Sequence, residues 1–166
     1  MRIPVNLVFL LWGAGCASLP APAVAPPGPP VYVAPLIDET PAQALGFVLG
    51  EEIKERLWDR APNRFSAVFE GEALALDATV LAIHDEASGK DAVDVVVRVE
   101  AILVDKGGAL AYDLGTWERR GRYRPDEHQP AATAERRRRA ISVARSTLAG
   151  ALAEAALQAS RRGADR

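Results

Sequence analysis

The pattern of the chain predicts an α+β fold. It reads as one domain in the order β-α-β-β-β-α, an antiparallel-rich sheet with two helices packed on one face. Three observations carry this reading. Two segments far apart in the chain space their apolar residues at helical intervals, the residues between them alternate apolar and polar, and turn-forming residues punctuate the alternation. At 166 residues, with 49% hydrophobic and 25% charged residues, the chain has the size and composition of one globular domain.

The first sixteen residues read as an address. Met1-Arg2 is followed by Ile3 to Trp12, about ten mostly apolar residues, and then by the small residues Gly13-Ala14-Gly15. The apolar run is too short to span a bilayer, which takes roughly 20 residues. The single cysteine, Cys16, comes next. Ala14-Gly15-Cys16 resembles the lipobox of bacterial lipoproteins, in which the cysteine is lipidated and becomes the mature N-terminus. An ordinary secretory peptide with an incidental cysteine is the alternative. Ala17, rather than an aspartate, follows Cys16, and by the sorting rule of lipoproteins this implies the outer membrane, facing the periplasm. The expected organisation is a signal peptide over 1–15, a lipidated cysteine with a proline-rich tether over 16–30, a domain over 31–160 and a tail over 161–166. The tether holds half of the chain's 12 prolines. Such a stretch favours extended polyproline II, at about 3.1 Å per residue.

Within the domain, Val31 to Ile37 reads as a strand, with Pro35 marking an edge or bend. Asp38-Glu39-Thr40-Pro41 turns into a helix, with Thr40 as N-cap, Pro41 at the first helical position and Gln43 as capping-box partner. Leu45, Leu49, Ile53 and Leu57 give that helix one apolar stripe, and Ala61-Pro62-Asn63 ends it. Phe65 to Phe69 leads into a strand from Ala73 to His84, and Asp85 to Asp91 reads as a turn. Ala92 to Asp105 then places Val93, Val95, Val97, Val99, Ala101 and Leu103 on one face, with Asp94, Arg98 and Glu100 on the other. Lys106-Gly107-Gly108 is a hairpin turn. Ala109 to Tyr123 pairs back with Leu110, Tyr112 and Leu114 on one face. One-sided alternation means a sheet with one dry face. Ala132 to about Arg161 is a long helix with a stripe of Ile141, Ala144, Leu148, Leu152 and Ala155 and with Thr133 as its cap.

The chemistry expected of this chain is binding, not catalysis. One cysteine excludes an internal disulfide, and with 2 histidines it cannot build a thiolate-rich zinc site. His84-Asp85-Glu86, with Asp77 nearby, would need a convergent cleft to act as ligands or as an acid–base pair. The serines lack a nucleophile-elbow context, and Gly107-Gly108 is not followed by the helix that a phosphate loop requires. No enzyme, cofactor or metal is expected. A formal charge of −2 argues against a nucleic-acid partner held by bulk electrostatics.

That charge is unevenly placed. Residues 31 to 118 hold 7 Lys and Arg against 17 Asp and Glu, whereas residues 119 to 139 hold 8 Arg against 3 acids. The arginines are Arg119, Arg120, Arg122 and Arg124, leaving the last strand, and Arg136, Arg137, Arg138 and Arg139, opening the last helix. Guanidinium groups pair bidentately with phosphate, so these eight form a candidate contact for an anionic lipid head group or an acidic partner. A solvated face that offsets the acidic body is the other reading. Trp117 at its edge suits an interface or a core.

Several of these features, taken in order, resemble the LPS-assembly lipoprotein family, LptE. They are the lipobox, the strand and turn of Val31 to Thr40, the four-spaced helix, the strand Leu76-Asp77-Ala78-Thr79-Val80-Leu81-Ala82-Ile83, a long hairpin, and a terminal helix that opens on basic residues. The resemblance spans roughly Val31 to Leu157. It implies a non-catalytic lipoprotein of the outer membrane that plugs or chaperones the β-barrel translocon for lipopolysaccharide, with lipopolysaccharide itself as a further ligand. A rival expectation is a tethered periplasmic interaction lipoprotein, such as an activator of cell-wall synthases or a secretion accessory protein. The proline-rich reach favours that rival.

Overall fold

The computed structural model describes residues 28–41 and 44–164. The signal peptide, Cys16, the tether up to residue 27, and Gln43 lie outside the described residues. Six strands form one sheet: β1 (Val31–Val33), β2 (Ile37–Asp38), β3 (Phe65–Ser66), β4 (Leu74–Ala87), β5 (Val93–Val104) and β6 (Leu110–Tyr123). Among the described residues two α-helices, α1 (Leu45–Arg60) and α2 (Pro130–Ala164), and a short 3-10 turn at Pro62–Arg64 complete the fold. The main path of the sheet runs β3-β1-β4-β5-β6, with β2 pairing β4 beyond the end of β1. The α+β class with both helices on one face is therefore observed. The sheet is mixed, because β1, β2 and β3 add in parallel while β4, β5 and β6 are antiparallel.

Several element boundaries differ from the sequence reading. The single strand expected over Val31 to Ile37 divides into β1 and β2, because Pro35 cannot donate to a ladder and the four steps from Val33 to Ile37 stand against three on β4. Phe65 and Ser66 form a separate two-residue strand rather than the start of β4. β4 continues to Ala87, so Asp85 and Glu86 lie on the strand with His84 and not in the expected turn. Thr40 does not cap α1; its N–H and hydroxyl both donate to Asp38 Oδ1, at 3.0 and 2.6 Å. Asp38 Oδ2 instead accepts the N–H of Gly46 at 2.8 Å, so this carboxylate serves the open end of the helix. Burial pushes the Asp38 carboxyl up, but these hydrogen bonds outweigh it and hold the group below the usual carboxylate range. Thr133 also does not cap its helix. It lies inside the first turn of α2, accepting the Asp126 N–H at 2.7 Å and closing the loop.

The core lies between the helices and one face of the sheet. Leu49, Ile53 and Leu57 of α1 and Leu148 and Leu152 of α2 meet Val31, Leu76, Val80, Val97, Val99 and Leu103, all fully buried. By composition α2 is long and apolar enough to cross a membrane. Its apolar stripe nevertheless packs on β5 and β6. Small residues allow this packing. A Cβ on Gly121 of β6 would stand 1.9 Å from the Ala140 carbonyl oxygen, so only glycine fits beneath that turn of α2.

β6 departs from simple alternation. Between Ala101/Ile102 and between Leu103/Val104 the register shifts, leaving Leu114 and Ala111 as extra residues on β6. Gly115 takes a φ of +75°, and its N–H donates to Asp113 Oδ1 at 2.7 Å. The shifts send Leu110 to the open face, where it is 61% exposed, instead of joining Tyr112 and Leu114 against the core. The hairpin turn is as expected, with Asp105 Oδ1 accepting the N–H groups of Gly107 and Ala109.

Candidate functional site

Register decides which arginines can act together. On β6, Arg119, Gly121 and Tyr123 stand opposite Val97, Val95 and Val93, on the helix side of the sheet. Arg120 and Arg122 stand opposite Val96 and Asp94, on the open side. The eight arginines therefore do not form one patch.

The open-side pair is engaged with acids. Arg120 donates to Glu86 Oε2 at 2.7 Å and to Glu118 Oε1 at 2.8 Å, and Arg98 meets Glu118 at 3.0 Å. Arg122 donates to Asp94 Oδ1 at 2.8 Å and to the Ser88 hydroxyl at 2.7 Å. His84 Nε2 lies 2.9 Å from Glu86 Oε1 in the same ladder. Hydrogen bonding from Arg122 holds Asp94 below the usual carboxylate range, and hydrogen bonding from His84 does the same for Glu86. His84 and Glu86 thus face the open side, whereas Asp85 faces the helices, so the triplet does not converge. Among the described residues, no group of three or more His, Cys, Asp or Glu side chains is placed to hold a metal ion.

On the helix side, Arg119 lies over the Trp117 ring, 5.6 Å from its centre, and the indole N–H donates to the Leu114 carbonyl at 2.9 Å. Arg137 donates to both oxygens of Asp85, at 3.1 and 2.9 Å, while Tyr123 donates its hydroxyl to the same carboxylate. Burial raises the Asp85 carboxyl, but the bonds from Arg137 and Tyr123 outweigh it and leave the group below its ordinary value. Arg137 is therefore a structural clasp between α2 and β4.

What remains is a groove. Arg122 and Arg124 from the end of β6, and Arg136 and Arg139 from the start of α2, line an open cavity of about 260 Å³ with Tyr123, Ala140 and Val143. Val143 is 60% exposed. Arg136 also donates to the Arg124 carbonyl at 3.3 Å, which ties the two segments together. Arg138 and Arg139 share Glu135 at 3.2 Å each, along the exposed side of the helix. The groove thus offers several guanidinium groups beside a small apolar wall, a combination suited to a phosphate-bearing amphiphile. Sequence reasoning placed the eight arginines at one loop. It did not separate the open-side residue Arg120, the clasp Arg137 and the aromatic partner Arg119 from the groove. The alternation of β6 across Gly121 signalled two sets of arginines, though not which set faces the helices.

No protein-family model matches the chain, and no curated protein matches it. Solved structures do. A Xanthomonas campestris protein of the DUF330 family superposes with a TM-score of 0.58 at 15% identity, covering 89% of this chain and 94% of that one. Lipoprotein B from Nitrosomonas europaea gives 0.56 at 16% identity, over 76% of this chain and 81% of that one. The PelC dodecamer from Paraburkholderia phytofirmans gives 0.54 at 19% identity, over 79% and 87%. At such identities the likeness establishes the fold, which this chain shares with bacterial proteins that include a lipoprotein.

Proposed function

We propose that this chain is a lipoprotein of the bacterial outer membrane, anchored through Cys16 and facing the periplasm, whose domain assists lipopolysaccharide assembly as a non-catalytic partner of the β-barrel translocon. The observation that carries this reading is the groove of Arg122, Arg124, Arg136 and Arg139 beside Tyr123, Ala140 and Val143. Guanidinium groups recognise phosphate oxygens, and the apolar wall accommodates the first part of an acyl chain. The lipobox-like Ala14-Gly15-Cys16 and a solved lipoprotein of the same fold support the anchor. The test is affinity purification of the full-length protein from membranes, with mass spectrometry of what stays bound. A large outer-membrane barrel in near-equal amount is the expected result.

A second reading has its own support. A tethered accessory protein, acting on a cell-wall synthase or in secretion, is favoured by the proline-rich reach and by the fold shared with a dodecameric protein. A synthase in the purified fraction, or no barrel at all, replaces the first reading with this one.

A further inference from the structure

The described chain enters the domain at the corner of the sheet diagonally opposite the arginine groove. A Cβ on Gly28 would stand 2.2 Å from the Ser160 carbonyl oxygen, so the incoming backbone runs against the last turns of α2. Arg64 is bonded to the same place, donating to the Leu157 carbonyl at 3.3 Å and to the Ser160 hydroxyl. The next residue, Phe65, meets Trp58 edge-on with ring centres 6.2 Å apart. Around the edge strand β3, Tyr32 and Phe69 stack at 5.7 Å.

This corner is aromatic and exposed. Trp58 is 59% and Val68 52% accessible, while Tyr32, Phe65 and Phe69 are half-buried. Arg161 and Arg162 lie exposed at the end of α2 beside them. Exposed acids, Asp59, Glu70 and Glu72, flank the same corner, so net charge does not make it a site for anions. Tryptophan and tyrosine at a rim, with arginines whose stems lie along apolar surface, are the side chains that settle where a bilayer meets water.

We propose that this corner rests on the lipid surface that holds the anchor. The inference depends on the reading of Cys16 as lipidated. Only eleven residues lie between Cys16 and the point of entry at Gly28, a span of at most about 43 Å. Within that reach the corner meets the leaflet at an effective concentration in the millimolar range, so weak interfacial affinity suffices to seat it. Seating it holds the arginine groove on the far side. From Arg139 to Ser160 the helix rises about 30 Å at 1.5 Å per residue. The groove then takes its ligand from the periplasmic side and not from the head groups beside the anchor.

The experiment uses the mature, lipidated protein in vesicles of phosphatidylethanolamine and phosphatidylglycerol containing a brominated-acyl phosphatidylcholine. Its tryptophans are Trp58 in this corner and Trp117 on β6, packed against the core. Bromine is expected to quench part of the emission of the wild-type protein, and Trp58→Phe to abolish the quenched part. No quenching of a protein that floats with the vesicles, or quenching that persists in Trp58→Phe, overturns the inference and leaves the anchor standing. A protein that does not float removes the anchor and the inference together. Quenching that disappears when a barrel partner is added assigns the corner to protein contact and overturns the lipid seat.

Discussion

The two diagonal corners of the sheet hold arginine in opposite ways. At the corner where the chain enters, Arg64 is buried, and it ties the turn after α1 to the end of α2 through the Leu157 carbonyl and the Ser160 hydroxyl. Burial, then the nearby Arg161, lowers its pKa from the ordinary guanidinium value. At the groove, by contrast, Arg122, Arg124, Arg136 and Arg139 all stand exposed, and Arg137 alone clasps Asp85. The difference teaches that a count of arginines says little. A cation inside the packing serves the fold, while cations at the rim stay within reach of a ligand, even where Asp94 holds Arg122 and Glu135 holds Arg139.

The largest effect that would break this comparison is expected from glycine. Gly121→Ala drives a Cβ into the Ala140 backbone and should destabilise the domain by about 3 kcal/mol in chemical denaturation. Gly28→Ala meets Ser160 almost as closely, but Gly28 lies outside any helix or strand, and the cost should stay near 1 kcal/mol. Equal losses would mean that the entry segment is as firmly fixed as β6. Next in size, Arg64→Ala should cost about 2 kcal/mol by leaving a cavity, with Arg64→Met costing clearly less because an apolar chain of similar volume refills it.

A smaller effect should follow from acid. The Asp85 carboxyl is held below its unfolded value by Arg137 and Tyr123, despite burial. Such a group contributes stability that is fully present above its unfolded pKa, about 3.9, and is lost as pH falls through the folded one. Protection factors for hydrogen exchange at the start of α2, taken relative to the intrinsic rates at each pH, should therefore fall in acid, and Arg137→Gln should remove much of that dependence. The smallest effect on stability, under about 0.5 kcal/mol, is expected for the double reversal Arg136→Glu with Arg139→Glu. That variant should instead lose lipopolysaccharide binding in a salt-dependent way. Unchanged binding would remove the groove from the proposed function.

Much of the fold was legible in the chain because its periodicities are strong. Four-residue spacing from Leu45 to Leu57 and the alternation from Val93 to Leu103 gave α1 and β5, together with the face each buries. The short parallel strands were legible as extended chain over Val31 to Ile37 and from Phe65, but not in their division or pairing. β1, β2 and β3 have three residues or fewer, and their partners, β4 for β1 and β2 and β1 for β3, are set by tertiary packing rather than by local pattern. The cap at Asp38 was hidden for a similar reason, since its carboxylate reaches Gly46, eight residues on. In the candidate site, residue type and approximate position were readable. Which side of β6 each arginine faces was not, because the extra residue at Leu114 reverses the alternation between Tyr112 and the arginines.

The mixed pairing of the sheet also sets an order of assembly. β4, β5 and β6 are joined by short turns and close by zipping, whereas Val31 meets Leu74 only after α1 and the turn that follows have folded back. Loop-closure entropy makes such long-range parallel contacts late to form. The entry corner is then the last part of the domain to assemble and the first to open. In pulse-labelling its amides should gain protection after those of the hairpins, so a chain already bound by its first residues would still be completing its fold at that end.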